Sequence, residues 1–217
     1  MSEFPRAPRL VKGGLVVVDP DSAAIQRIIP MQYNPETVTR SFQVQAFGAE
    51  GADRSEAFRI KAPAVETIRV EAEIDATDQL EVVDGTATQV GIHPQLAVLE
   101  TLLYPTTAQL QANDALARSG TLEIVPMRAP LTLFIWSKER IVPVRISELS
   151  ITEEAFDPSL NPTRAKVTLG MRVLSVHDLG FQAKGGGLFM AYLAAKETLA
   201  TRQPPATLAQ LGIRRIQ

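Results

Sequence analysis

From Val38 to Ala46 the apolar Val38, Phe42, Val44 and Ala46 fall on one parity, and Thr39, Ser41, Gln43 and Gln45 on the other. Arg40 is the polar exception on the apolar side. Successive side chains of a strand point to opposite faces, so this pattern predicts a strand with one wet face. The rule is cleaner from Ile68 to Asp75, where Ile68, Val70, Ala72 and Ile74 alternate with Arg69, Glu71, Glu73 and Asp75. A third such segment runs from Arg164 to Val173. Parallel strands, covered on both faces, read as unbroken apolar runs, so three long amphipathic strands predict an antiparallel sheet or barrel. Leu15 to Val18 and Leu131 to Trp136 are apolar on both parities, which predicts strands packed on two sides or strands that meet a partner. Between Ile141 and Thr152 the apolar phase shifts from Val144 and Ile146 to Leu149 and Ile151, which predicts a β-bulge between Ile146 and Leu149. About seven or eight strands are expected in all.

Two helices interrupt this pattern. Pro94 suits a first helical position, and Leu96, Leu99, Leu102 and Leu103 repeat at three and four residues until Pro105. Near the end, Gly185-Gly186-Gly187 predicts a flexible hinge, followed by a helix with Leu188, Tyr192, Ala195 and Leu199 on one stripe before Pro204-Pro205. The tail beyond carries Leu208, Leu211, Ile213 and Ile216. Loops are expected at Phe47 to Glu56, Asp78 to Gly91 and Thr106 to Gly120, and long loops on a β scaffold are frequent partner-binding sites. The expected architecture is mainly β (α+β), an antiparallel sheet or barrel with one inserted helix and a C-terminal helix. Residues 8–180 are expected to form the β domain and residues 181–217 the helix and tail.

Composition narrows the function. A chain of 217 residues is long enough to hold a core without staples, and with no Cys it has neither a disulfide framework nor a thiolate metal site. Its 22 Lys and Arg against 24 Asp and Glu give no general attraction to phosphate backbones, so no nucleic-acid partner is expected. No apolar stretch approaches the roughly 18 residues of a spanning helix, and the N-terminus lacks a basic region followed by an apolar core. A cytosolic protein without membrane insertion is expected.

The chemical motifs are weak. Asp75, Asp78, Glu81 and Asp84 cluster without the order of a calcium loop, and read as a solvated loop. Glu71 and Glu73 read as the polar half of a strand rather than a glycosidase pair. No Gly-x-Ser-x-Gly elbow is present, and the neighbours His177 and Asp178 lack a placed nucleophile. Lys184-Gly185-Gly186-Gly187 lacks the order of a phosphate loop. An enzyme is disfavoured, and no catalytic residue, cofactor or metal is expected.

Several segments together resemble a family. Strands over Leu10 to Val18 and Ile25 to Tyr33 lead into Tyr33-Asn34-Pro35-Glu36, similar to the aromatic-Asn-Pro turn near the start of tube-type proteins of contractile injection systems. Ile68 to Asp78 resembles that family's strand exit. Pro130 to Trp136, Ile141 to Ile151, Phe156 and Asn161-Pro162-Thr163-Arg164-Ala165-Lys166-Val167 resemble its closing strands and Gly-x-Pro-x-Arg-Ala turn. The similarity runs in order over roughly residues 8–176. Leu160 stands where the family pattern puts a Gly, and the chain ends in a helix and apolar tail where many relatives carry a LysM module.

The resemblance implies a tail-tube β-barrel and a structural role in a phage tail-like particle assembled in the cytoplasm. Its implied place is a hexameric ring that initiates or adapts the inner tube at the baseplate, above the hub and spike. The implied partners are further copies of the chain, the inner tube protein, the hub or spike protein and other baseplate components. Tyr33, Asn34, Pro35, Asn161, Pro162, Arg164 and Ala165 are then assembly residues or fold-shaping turns. The loops Phe47 to Glu56 and Thr106 to Gly120 would contact the next ring, and Gln43, Gln45, Arg69, Glu71 and Glu73 would line a wet lumen. The competing reading is a stand-alone β-barrel that binds a small ligand; scarce aromatics disfavour sugar stacking.

Overall fold

The computed structural model describes residues 10–46, 59–77, 85–120 and 129–216. Among the described residues seven strands form one antiparallel sheet: β1 (Gly14–Val18), β2 (Ile25–Pro30), β3 (Val38–Ala46), β4 (Ile60–Asp75), β5 (Leu131–Ile135), β6 (Ile141–Phe156) and β7 (Pro162–Val173). Their order is β2-β1-β5-β6-β7-β4-β3. The helices are α1 (Gly85–Val90), α2 (His93–Glu100), α3 (Thr107–Arg118), α4 (Val176–Leu179) and α5 (Lys184–Ala200). Among the described residues no helix is long and apolar enough to cross a membrane.

The alternation decides where the strands lie. β3 coincides with the Val38–Ala46 pattern, and the apolar parity of β7, with Ala165, Val167, Leu169, Met171 and Val173, is buried throughout. The β6–β7 register shifts between Ile146 and Glu148, which is the bulge that the change of phase demands. In β1 and β5 both parities are buried. Leu15 pairs with Phe134 and joins the main core, where Ile92, just before α2, and Leu96 and Leu99 of α2 also pack. Val16, Val18, Leu131 and Leu133 form a second cluster, covered by Leu179 of α4 and Leu188 of α5. The second face of these strands is therefore occupied by helices of the same chain.

The expected closed barrel is not formed by the single chain. β2 and β3 end the strand order and share no ladder among the described residues. The sheet is nonetheless rolled. Six inter-strand steps of about 4.8 Å put the edges of a flat sheet about 29 Å apart. The link over residues 31–37, which runs from one edge strand to the other, reaches about 28 Å only if fully extended. It is not extended, because Gln32 turns back onto the end of β4. Its Nε2 donates to the Asp75 carbonyl at 2.6 Å and its Oε1 accepts from the Asp75 N–H at 3.0 Å. One side-chain amide thus does at the seam what a strand would do along it.

Three loop assignments change. Thr107–Arg118 is a helix, started by a capping box in which Thr106 accepts from Gln109 N–H while the Gln109 side chain accepts from Thr106 N–H. Gly85–Val90 of the expected Asp78–Gly91 loop is also helical. The glycines at 185–187 are the first turn of α5 rather than a hinge. A Cβ on Gly185 would lie 2.6 Å from Leu179 Cδ1, and one on Gly186 would lie 2.0 Å from the Gly180 carbonyl oxygen. Their function is close approach of α5 to α4 and β5.

Candidate functional site

The two turns singled out in the sequence meet at the end of β4. In the first, the Asn34 amide ties the link to the lead-in of β1: Nδ2 donates to Val11 O at 2.8 Å, and Oδ1 accepts from Gly13 N–H at 2.9 Å. Met31 N–H donates to Gly13 O beside it. Tyr33 is half exposed and Pro35 part-buried.

The second turn is the β6–β7 hairpin. Asn161 N–H donates to Asp157 Oδ1 at 2.8 Å, and its Nδ2 donates to Asp157 Oδ2 at 2.8 Å and to Gln89 O at 3.2 Å. Side-chain and then backbone donation from Asn161 holds the Asp157 carboxyl below the usual carboxylate range. The Pro162 carbonyl accepts from Ile92 N–H at 2.8 Å, which fixes the start of α2. Gly91, at φ +58°, passes so close that a Cβ there would sit 2.1 Å from Pro162 O. Ala165 is fully buried between Ile74 of β4 and Glu153 of β6. Arg164 pairs in register with Asp75 and lies 3.6 Å from Glu154. Since Gln32 bonds Asp75 and Ala76 N–H donates to Thr163 O, the structure brings the link and the start of β7 to one corner.

Leu160 occupies a left-handed position of this turn. It adopts φ +66° and is 78% exposed, so the turn keeps a left-handed residue without using its side chain. An L-residue with a Cβ costs about 1–2 kcal/mol there. Leu160→Gly is expected to stabilise the fold by about 0.5–1 kcal/mol, after the added freedom of the unfolded chain is subtracted. Urea denaturation reads it; a loss of stability would refute the strain.

The sequence reading missed the most connected polar group. Glu66 of β4 is 4% exposed and lies on the same face as Ile68. Its carboxylate accepts from Arg40 Nε at 2.7 Å, Tyr192 Oη at 2.9 Å and Lys196 Nζ at 2.8 Å. Burial opposes its ionisation, but donation from Lys196 and Arg40 holds it below its ordinary value. Burial first, and then Glu66, push the Tyr192 hydroxyl up. Arg40 and Lys196 also lie 5.0 and 5.2 Å from the centre of the Phe42 ring. The signal was Arg40 on an apolar parity, since a cation there needs a carboxylate partner.

The weak chemical motifs resolve into structure. Asp178 accepts from Ser175 N–H at 2.9 Å and Arg172 Nη2 at 2.8 Å, as the cap of α4. It is spent there, and no bond to the His177 ring is present among the described residues. These residues and Lys61 border a crevice of about 230 Å³. Of the acidic quartet, only Asp75 lies within the described residues, and it accepts from Thr77 N–H and Oγ1. Glu71 and Glu73 are exposed.

Both sheet edges carry exposed apolar side chains. Ile25 and Ile28 of β2 are 64% and 62% exposed, and Phe42 and Val44 of β3 are 51% and 67% exposed. The Phe47 to Glu56 loop lies outside the described residues. No protein-family model matches the chain, and no curated protein matches it.

Proposed function

We propose that the chain is a structural subunit of a contractile injection system, a tail-tube β-barrel that forms a hexameric ring to start or adapt the inner tube at the baseplate. The observation that carries this reading is the rolled sheet with two open edges that expose Ile25, Ile28, Phe42 and Val44. A monomer ordinarily blunts such edges, and a ring pairs them through one contact repeated by rotation. The ordered resemblance over residues 8–176 supports the family, and the exposed Arg69, Glu71 and Glu73 suit a wetted face. In this reading the partners are further copies, the inner tube protein, the hub or spike and other baseplate components. The corner built by Tyr33, Asn34, Pro35, Asn161, Pro162, Arg164 and Ala165 shapes the subunit, and assembly follows from that shape.

The test is affinity purification of the tagged chain from its native cells, with negative-stain imaging of the eluate. Sheathed rods with the tag at one capped end support the reading. Small monodisperse particles without sheath or tube protein sink it. Val44→Lys, at an exposed edge position, is expected to change subunit stability by less than about 0.5 kcal/mol and to remove the chain from the rods. Rods that still carry the variant would sink the edge contact.

A further inference from the structure

A cavity of about 270 Å³ lies at the seam where the rolled edges come together without pairing. Leu15 and Leu169 line it from the sheet, Met31 and Ile74 from its two sides, and Val98 and Leu99 from α2. Four of these, Leu15, Met31, Leu99 and Leu169, are at most 8% exposed, so the wall is built into the core. At interior packing density the space holds roughly ten heavy atoms.

Its polar groups are few and unequal. The Gln32 amide is spent at both ends on Asp75. Glu73 is the ionisable group of the wall and is exposed. Gln95 of α2 is different, because its Oε1 is buried with no hydrogen-bond partner among the described residues. The start of α2 is fixed by the Ile92–Pro162 bond, and Leu96 is buried beside it, so the helix cannot withdraw the amide. The last torsion of a Gln side chain is broad, and a small turn brings the oxygen to the cavity. Away from the Glu73 rim and the spent Gln32 amide, the wall offers a water this one acceptor, short of the two to four polar partners it needs to settle. A largely apolar wall with that poverty of partners holds water weakly and favours apolar molecules of ring size.

We propose that this seam cavity is a binding site for a neutral, apolar molecule of one or two rings that carries one hydrogen-bond donor, with Gln95 Oε1 as its acceptor. An anionic ligand is refused, because the ionisable group among the described wall residues is the Glu73 carboxylate and no cation lines the wall to pair with it. The site goes beyond the ring-forming role and depends on the subunit alone.

Indole and indene differ by an N–H in nearly the same shape, and they supply the test on the full-length chain. The Met31 methyl signal is followed by NMR as each is added. Indole is expected to shift it and to bind about tenfold more tightly than indene, because it satisfies an acceptor otherwise left bare. Gln95→Leu is expected to bring the two affinities together, while Val98→Phe, or Ala72→Leu should that variant fail to fold, removes binding of both. No Met31 shift with either molecule overturns the site. Equal affinities on the wild-type chain overturn the role of Gln95.

Discussion

Glu66→Gln is expected to lower the unfolding free energy by about 2–3 kcal/mol in urea denaturation at pH 7, among the larger effects of a single isosteric change in this chain. The carboxylate is 4% exposed and is the common acceptor of Arg40, Tyr192 and Lys196. Removing its charge leaves two cations over the Phe42 and Tyr192 rings with no anion between them. Breaking a buried pair costs about 3–5 kcal/mol. The lower figure applies because the Arg40 and Lys196 side chains keep 26% and 34% exposure and recover part of their hydration. The pH dependence has a definite sign. The folded-state pKa of Glu66 lies below its ordinary 4.5, so this stabilisation is present above about pH 4.5 and is lost as pH falls through the folded value. Wild type should therefore lose stability faster than Glu66→Gln as pH falls below about 4.5. If the variant matches wild type at pH 7, the network contributes nothing net, as some buried pairs do. The same residues join β3, an open edge, to α5, so the variant also tests whether the edge needs the helix to hold its shape.

Period-two alternation matched the bounds of β3 and located the β6 bulge, yet the one wet face that it predicts for β3 is not seen, since Phe42 and Val44 on the apolar parity are exposed as well. It left β1 and β5 ambiguous. Residues such as Val16 and Leu133 are apolar for a reason that lies in distant Leu179 and Leu188, and no local pattern names a partner so far along the chain. The α3 helix was hidden because none of its residues is buried and its stripe of Ala108, Ala112, Ala115 and Leu116 is mostly alanine. Its Thr106-to-Gln109 capping box was the one legible mark. In α5 the stripe of Leu188, Tyr192 and Leu199 missed Phe189, which is 7% exposed, because the helix contributes to both clusters and so buries more than one stripe. The Asn34 and Asn161 turns were visible as dipeptides, yet nothing local shows that both abut the end of β4. That follows only from the strand order.

The glycines at 185–187 give the second large effect, and their neighbours supply its control. Gly186→Ala is expected to destabilise the fold by about 2–3 kcal/mol and to expose α5 to limited proteolysis. The added Cβ would lie 2.0 Å from a backbone oxygen, that of Gly180, rather than from the end of a side chain that can swing away. Gly180 cannot yield freely, because the α4 turn before it is held by the Ser175–Asp178 cap and by Leu179 in the second cluster. α5 must therefore rise, which uncovers Leu131 and Leu133 of β5 and pulls Tyr192 from Glu66. Gly187→Ala meets nothing within 4 Å, and is expected to stabilise the helix by about 0.5–1 kcal/mol through backbone entropy alone. Opposite signs at adjacent positions separate close packing from flexibility, since a hinge would be stiffened by either substitution. Equal effects of both variants would restore the hinge. On the proposed ring-forming role, a Gly186→Ala chain that folds but stays out of sheathed rods would assign the docked helix to the assembly surface; one that enters them like wild type would leave α5 to the subunit's own core.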